Sequence, residues 1–289
     1  VKGKYGHLLL VQKAAIDDAL ISALRPYFES AHLDARDHIH QQIGISLHPD
    51  GEVGGGEVCY PNCLPAVAHR GLFGEVMAGM VTEAYHNDFV GQHAWKVPIF
   101  LFRQHVDAEH YLWNLKNDPT RTREIFGRQG SDFVGIALDA NGKVVRVIAG
   151  EAKWRKSLTE AVVDAVMLGP KKMGVHNGRG VWFEVNRDTP IPHGLRQLGR
   201  LLELRDPDGH AAAILSIDQA VLRQNTLDRT NLILLVGNGA AGREESDSLI
   251  EWEQMPKEYK AKYDLQVVEV ILEDGEKLID GLYASLWED

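Results

Sequence analysis

The chain has 289 residues, 44% hydrophobic and 25% charged, a globular composition that excludes a disordered or collagen-like protein. Lys and Arg total 31 against 41 Asp and Glu, a net charge of −10, which excludes a protein that holds nucleic acid by overall charge but leaves room for a local basic groove or a partner that delivers the nucleic acid. Two cysteines, Cys59 and Cys63, exclude a disulfide scaffold and fit a reducing cytoplasm, and the lack of a long apolar run argues against a membrane span. With one short apolar stretch and no small-residue cleavage site near its start, the chain is not expected to carry a signal peptide.

Residues 8–28 carry apolar positions at helical spacing (Ile16, Leu20, Leu24, Phe28), with Pro26 as the expected stop. The stretch 34–65 is polar and turn-rich around Gly54-Gly55-Gly56 and reads as one or two strands plus loops. From Gly71 a helix is predicted, with Phe73, Val76, Met77, Met80, Val81 and Ala84 on one face, ending before Asn87-Asp88. Residues 95–102 are extended, and Pro98 favours an edge position. Two β-branched runs, 133–138 and 144–149, flank Asp139-Ala-Asn-Gly142, the strongest short hairpin signal in the chain. Ser157-Leu-Thr-Glu160 then reads as a capping box opening a helix. Helices follow at 195–204 and 211–222, strands at 231–236 and 266–272, and a closing helix at 276–287. The order predicts an α/β fold, a mixed sheet with flanking helices. Residues 71–289 read as one domain and 1–70 as an N-terminal elaboration.

The chemistry concentrates at the hairpin. Asp132 heads its first strand, and Gly150-Glu151-Ala152-Lys153 lies at its exit. Positions two apart on a strand share a face, so Glu151 and Lys153 point the same way, and hairpin geometry brings Asp132 toward Glu151. Two carboxylates and the Ala152 carbonyl form an oxygen-rich set suited to Mg²⁺ or Mn²⁺. Lys153 would hold the attacking water or help deprotonate it, while the metal stabilises charge on a phosphoryl oxygen. Glu258-Tyr-Lys260 repeats the Glu-x-Lys spacing in a charged, helix-like stretch and acts as an internal control; there it is a solvated face. Glu75, in the first turn of the helix predicted from Gly71, is a further candidate ligand or simply an acid favoured by the helix dipole. Arg155, Lys156, Lys171 and Lys172 flank the site as candidate nucleic-acid contacts. Arg196 and Arg200, four apart, share a helix face.

At these residues the chain resembles the PD-(D/E)XK nuclease superfamily. The resemblance implies a restriction-endonuclease-like core of helix, three-stranded meander, helix and strand (αβββαβ). It makes Asp132 and Glu151 metal ligands, Lys153 the catalytic lysine and Glu75 an added acid. It covers roughly 71–175, with 231–272 as later strands. More narrowly, Gly150-Glu-Ala-Lys followed by Ser157-Leu-Thr-Glu-Ala161 resembles the nuclease subunit of Hachiman-type bacterial antiphage systems, which implies DNA as substrate, a helicase partner and a cytoplasmic defence role. Residues 1–70 carry no part of the resemblance and are the expected partner-docking region.

Competing signals are weaker. Gly237-Asn-Gly239-Ala-Ala-Gly242 spells a dinucleotide fingerprint after a strand, but the polar, acidic residues that follow are wrong for the helix it needs. Cys59, Cys63 and His69 offer three of the four ligands a closed zinc site requires. His38-Ile-His40 on a strand would put both rings on one side, with no third ligand in view. A catalytically silent scaffold module is the alternative from another functional class.

Overall fold

The computed structural model describes residues 4–45, 60–62, 64–100, 102, 132–187, 194–223 and 227–287. In chain order these form β1 (Tyr5–Val11), α1 (Asp18–Ile45), α2 (Ala66–Ala84), β2 (Lys96–Phe100), β3 (Phe133–Leu138), β4 (Val144–Leu158), α3 (Glu160–Leu168), β5 (Lys171–Lys172), β6 (Val175–His176), α4 (Val181–Val185), α5 (Leu195–Arg205), α6 (Ala211–Arg223), β7 (Asp228–Gly239), β8 (Asp264–Leu272) and α7 (Gly275–Ser285). Six strands make one mixed sheet in the order β1-β8-β7-β4-β3-β2. The first four run parallel to one another, and β3 and β2 are added antiparallel. The fold is therefore α/β, a mixed sheet flanked by helices, as the order of elements predicts.

Strand alternation divides the core between the two faces of the sheet. Ala152, Leu232, Leu234 and Val236 pack with Phe28 of α1, Phe73 and Val76 of α2, and Leu278 and Leu282 of α7. Ile233, Leu235 and Val267 point the other way, onto Val163 and Met167 of α3 and Trp182 and Val185 of α4. Further along that face, Val134, Ile136 and Val147 pack against Leu195 and Leu198 of α5 and Ile217 of α6. The strands buried on both faces read as continuous apolar runs, which is why 231–236 and 266–272 are legible in the sequence. Among the described residues, no helix is long and apolar enough to cross a membrane.

Several expectations are corrected. The region 8–28 is not one helix: residues 5–11 form β1, paired with β8 from Tyr5↔Leu265 to Val11↔Ile271. Helix α1 opens after Asp17, whose Oδ1 accepts the Leu20 N–H at 3.0 Å. It then runs through Pro26 to Ile45. An interior proline costs about 3 kcal/mol. Phe28, His32 and Ala35, spaced on one helical face, are buried against α2 and α7 and offset it. The strands expected after residue 34 are thus helix as far as Ile45, and the rest of that expectation, 46–59, lies outside the described residues. His38 and His40 fall in α1, where positions two apart do not share a face.

The residue-70 boundary falls inside α2, and β1 and α1 belong to the same sheet and core as the rest. The proposed cap at Ser157 is displaced. Strand β4 continues through Leu158, and Thr159 caps α3, its Oγ1 accepting the Val162 N–H at 3.3 Å. The ladder to β7 extends to Leu158↔Gly239, and the buried Leu158 holds the chain in the sheet past the point where local pattern alone starts a helix. The dinucleotide fingerprint lacks its helix: β7 runs through Gly237 and Gly239, and irregular chain leads from there to β8. The segment around Glu258 and Lys260 is likewise irregular rather than helical.

That irregular connection is fastened at one buried carboxylate. Glu269 of β8 accepts the backbone N–H groups of Leu249 and Ile250 at 3.0 Å each, the Ser248 hydroxyl at 2.8 Å and His7 Nε2 at 2.9 Å. Because Ser248 and His7 both meet the same carboxylate oxygen, this is a clamp rather than a nucleophile–base–acid relay. Burial alone would raise the Glu269 pKa, but the bonds from His7, Leu249 and Ser248 outweigh it and hold the carboxyl below its ordinary value. A carboxyl with a depressed folded-state pKa contributes stability above its unfolded value, about 4.3, and loses it as pH falls through the folded value. Glu269→Ala is expected to lower stability by about 3 kcal/mol, since it orphans buried donors. In chemical denaturation at a series of pH values, Glu269→Gln should weaken the acid-side loss that the wild type shows below about pH 4.

Candidate active site

Strand β3 stops where β4 does not. The β3–β4 ladder ends at Phe133↔Gly150, whereas β4 continues beside β7 as far as Leu158. At this step Asp132 N–H still donates to the Gly150 carbonyl at 2.9 Å. Its side chain takes over the next backbone donor: Asp132 Oδ2 accepts the Ala152 N–H at 2.7 Å. Gly150 permits the close fit on the other side, since a Cβ there would lie 2.2 Å from the Leu232 carbonyl oxygen of β7.

Alternation sends Ala152 into the core shared with α2 and turns Glu151 and Lys153 to the opposite face, as the spacing predicts. Lys153 Nζ donates to Glu151 Oε2 at 2.8 Å and stands 3.6 Å from Asp132 Oδ2. Three residues far from equivalent in the sequence thus meet at one ammonium. Burial, and then the neighbouring Asp132 carboxylate, push the Glu151 pKa up to about 7 against the opposing pull of Lys153. For Lys153 burial acts downward, but Asp132, Glu151 and Glu75 outweigh it, and the side chain stays an ammonium well above the usual lysine range.

The donor set fits a hard divalent cation. Two carboxylates already converge on one positive charge, and the Ala152 carbonyl lies on the same side of β4 as the N–H that meets Asp132. Among the described residues, no group of three His, Cys, Asp or Glu side chains gathers as a metal site. Glu75 is the remaining acidic candidate. It is buried on α2, close enough for its charge to act on Lys153 and on Tyr283.

An open cleft of about 660 Å³ adjoins Glu151 and Lys153. Of the predicted basic contacts, Arg155 lines it, whereas Lys156 turns away to Glu276 at 2.5 Å. Lys171 and Lys172 are exposed on β5, directly beyond the Gly169-Pro170 wall of the cleft. Arg196 and Arg200 lie on the exposed side of α5, away from that wall. Beside Gly169 the lining carries residues that sequence reasoning passes over: Arg179, Phe183, Glu184 and Arg187. Glu184 pairs with Arg187 at 3.0 Å and adds to the upward push on Glu151. Their signal is compositional, because residues 169–187 hold four Lys or Arg and one acid in a chain of net charge −10.

Cys59 and Cys63 lie outside the described residues. His69 is engaged otherwise, its Nε2 2.9 Å from the Pro61 carbonyl and its ring stacked 4.3 Å from that of Tyr283. Comparison with protein-family models and with curated proteins finds no match to this chain.

A carboxyl whose pKa is raised in the folded state binds its proton more tightly there, so its contribution to stability declines as pH rises from about 4.3, the unfolded value. For Glu151 the decline should extend to about pH 7. Carboxyl-selective NMR titration of the metal-free protein should find one group of the Asp132–Glu151 pair titrating near neutrality, and Asp132→Asn should move that titration downward. An unshifted titration in Asp132→Asn would show that the two carboxylates do not interact.

Proposed function

We propose that this chain is a metal-dependent nuclease that hydrolyses DNA phosphodiesters. The observation that carries the reading is the convergence of Asp132 and Glu151 on Lys153 Nζ at the end of β3, beside an open cleft. The order α2-β2-β3-β4-α3-β7, a helix, a three-stranded meander, a helix and a parallel strand, supports the PD-(D/E)XK resemblance, with β5, β6 and α4–α6 inserted before β7.

Asp132, Glu151 and the Ala152 carbonyl would hold Mg²⁺ or Mn²⁺, which supplies Lewis acidity toward a phosphoryl oxygen. Lys153, kept charged by its neighbours, serves as an electrostatic donor to a phosphate oxygen rather than as a proton acceptor. Asp132 is oriented by the Ala152 N–H, so its remaining oxygen lone pairs have a fixed aim. Arg155 and Arg179 on the cleft walls offer cations to the flanking phosphates. Glu75 acts from the buried side, through its charge on Lys153.

From the Hachiman-type resemblance we infer a cytoplasmic role in bacterial antiphage defence with a helicase partner. A chain of net charge −10 gains little steering toward DNA, and a partner that holds the strand raises its effective concentration at the site. Residues 1–70 remain the proposed docking region, with β1 and α1 presenting it as part of the sheet and core rather than as a separate arm. The silent-scaffold reading draws on one observation: the Lys153 ammonium already stands between the two carboxylates, where a metal ion would be held.

Glu151→Ala and Lys153→Ala should each abolish Mg²⁺-dependent DNA cleavage in a folded protein, Lys153→Ala at a lower melting temperature because it leaves two carboxylates without their ammonium, and Lys260→Ala should cleave at the wild-type rate. Wild-type cleavage by a folded Glu151→Ala protein would end the nuclease assignment. Calorimetric titration with Mn²⁺ separates the two readings, because a silent scaffold takes up no metal at this pair. DNA binding by the isolated chain should be weak and steeply salt-dependent, becoming tight only with the helicase present. Tight binding by the chain alone at physiological salt would remove the need for a delivering partner.

A further inference from the structure

The connection between α3 and α4 leaves the cleft as a small hairpin and returns to it. Its base is fixed: Asn177 N–H donates to the Pro170 carbonyl at 3.1 Å, and His176 Nδ1 lies 2.5 Å from the Gly169 carbonyl. Gly169, at φ +86°, permits this junction, because a Cβ there would sit 2.0 Å from Asn177 Oδ1. Beyond the base, Lys171 pairs with His176 and Lys172 with Val175. The turn is Met173-Gly174, both at positive φ (51° and 81°), the two-residue geometry that matches strand twist. Lys171, Lys172, Met173 and Val175 are all exposed, and Met173 has no shielding from the rest of the chain.

Three features of this hairpin point to one kind of ligand. Consecutive strand residues face opposite ways, so Lys171 and Lys172 present a cation on each side of the hairpin. The tip between them is an unbranched apolar side chain, of the kind that nucleic-acid-binding proteins insert between bases. The base of the hairpin is the wall of the cleft that holds Glu151 and Lys153, where the half-exposed Phe183 ring and Arg179 also stand. A protein partner that docked on the apolar tip would have no use for cations on both sides, whereas two separating DNA strands carry phosphates on both sides.

We propose that this hairpin, residues 171–176, is a strand-separating wedge, and that the substrate class of the cleft is DNA with a junction between duplex and single strands. Met173 enters at the junction, Lys171 and Lys172 each meet the backbone of one strand, and one strand passes along Phe183 and Arg179 toward Glu151. The proposal rests on the nuclease reading for its substrate, but its own content is the wedge.

The test measures fluorescence anisotropy of a fork, a blunt duplex and a single strand of equal length, each with the full-length chain in EDTA at low salt. The variants are Met173→Ser and the double variant Lys171→Ala with Lys172→Ala, with folding checked by melting temperature. The wild type should bind the fork most tightly. Met173→Ser should lose about fivefold on the fork with little change on the single strand. The double variant should lose about tenfold on the fork, with a salt slope smaller by about 2. Equal binding of all three DNAs by the wild type, or an unchanged fork preference in both variants, would overturn the wedge. So would loss of helicase binding in the variants with DNA binding intact, which would make the hairpin a protein contact. Cleavage of the same DNAs in Mg²⁺ separates the two claims. Glu151-dependent cleavage with no hairpin effect leaves the nuclease reading standing without the wedge. Hairpin-dependent fork binding with no cleavage leaves the wedge standing without the nuclease.

Discussion

The site depends on a mismatch of strand lengths. Strand β4 has 15 residues and β3 has 6, so β4 outruns its antiparallel neighbour while β7 supports it from the other side. Beyond Gly150 β3 no longer pairs with β4, and Asp132 meets the next backbone donor of β4 with a side-chain oxygen. This one hydrogen bond stands in for the missing ladder rung, draws a carboxylate to the strand end and sets it beside the Glu151–Lys153 pair. The charge arrangement then follows. Two acids close together and partly desolvated repel each other, and an ammonium between them makes the cluster tolerable. The same geometry that makes this a stable ion triad makes it an attractive place for a harder, doubly charged cation.

How much of this is legible in the sequence depends on whether local or distant partners decide each element. The β3–β4 hairpin is set by its own turn, where Asp139 Oδ1 accepts the N–H groups of Asn141 and Lys143, so it reads from neighbouring residues alone. The common face of Glu151 and Lys153 follows from a period of two and reads equally well. By contrast, α1 passes through Pro26 because Phe28 and His32 meet residues from α2, α7 and the 60–62 segment, none of which a local window contains. Leu158 stays in β4 for a similar reason, its ladder to β7 being set by residues some eighty positions on. Glu75 shows how a displaced helix start misplaces a residue: α2 opens at Ala66 rather than Gly71, so Glu75 stands in its third turn rather than its first, and its charge acts on Lys153 from there.

The two faces of the sheet spend their buried polar groups differently. On the α1–α7 side, His32 lies fully buried between the hydroxyls of Tyr60 and Tyr283, at 2.9 and 3.1 Å, and burial drives its pKa down to about 3. A ring held neutral in this way adds no charge to the core, and its two hydrogen bonds tie α1 to α7 and to the 60–62 segment. On the other side, Glu269 collects backbone donors from the β7–β8 connection, and Asn231 of β7 donates to the Val185 carbonyl at 3.0 Å and to Tyr259 at 2.9 Å. These contacts hold the irregular chain and α4 to the sheet, and Val181, Phe183 and Glu184 of α4 in turn line the cleft. Rigidity of that wall is thus borrowed from strands that never touch the cleft themselves.

The placement of β1 has a consequence for how the protein is made. Its partner is β8, and Tyr5↔Leu265 is a pairing across some 260 residues. On a ribosome, β1 must wait, unpaired, until the residues between it and β8 have been translated. During that interval the Leu8-Leu9-Leu10-Val11 run is bare to solvent or to a chaperone, and the far side of the sheet lacks its border. Long-range parallel pairing of this kind also slows spontaneous refolding relative to chains built from neighbouring contacts. For a protein with the destructive activity proposed above, late completion of the sheet would set an interval between synthesis and full assembly of the fold.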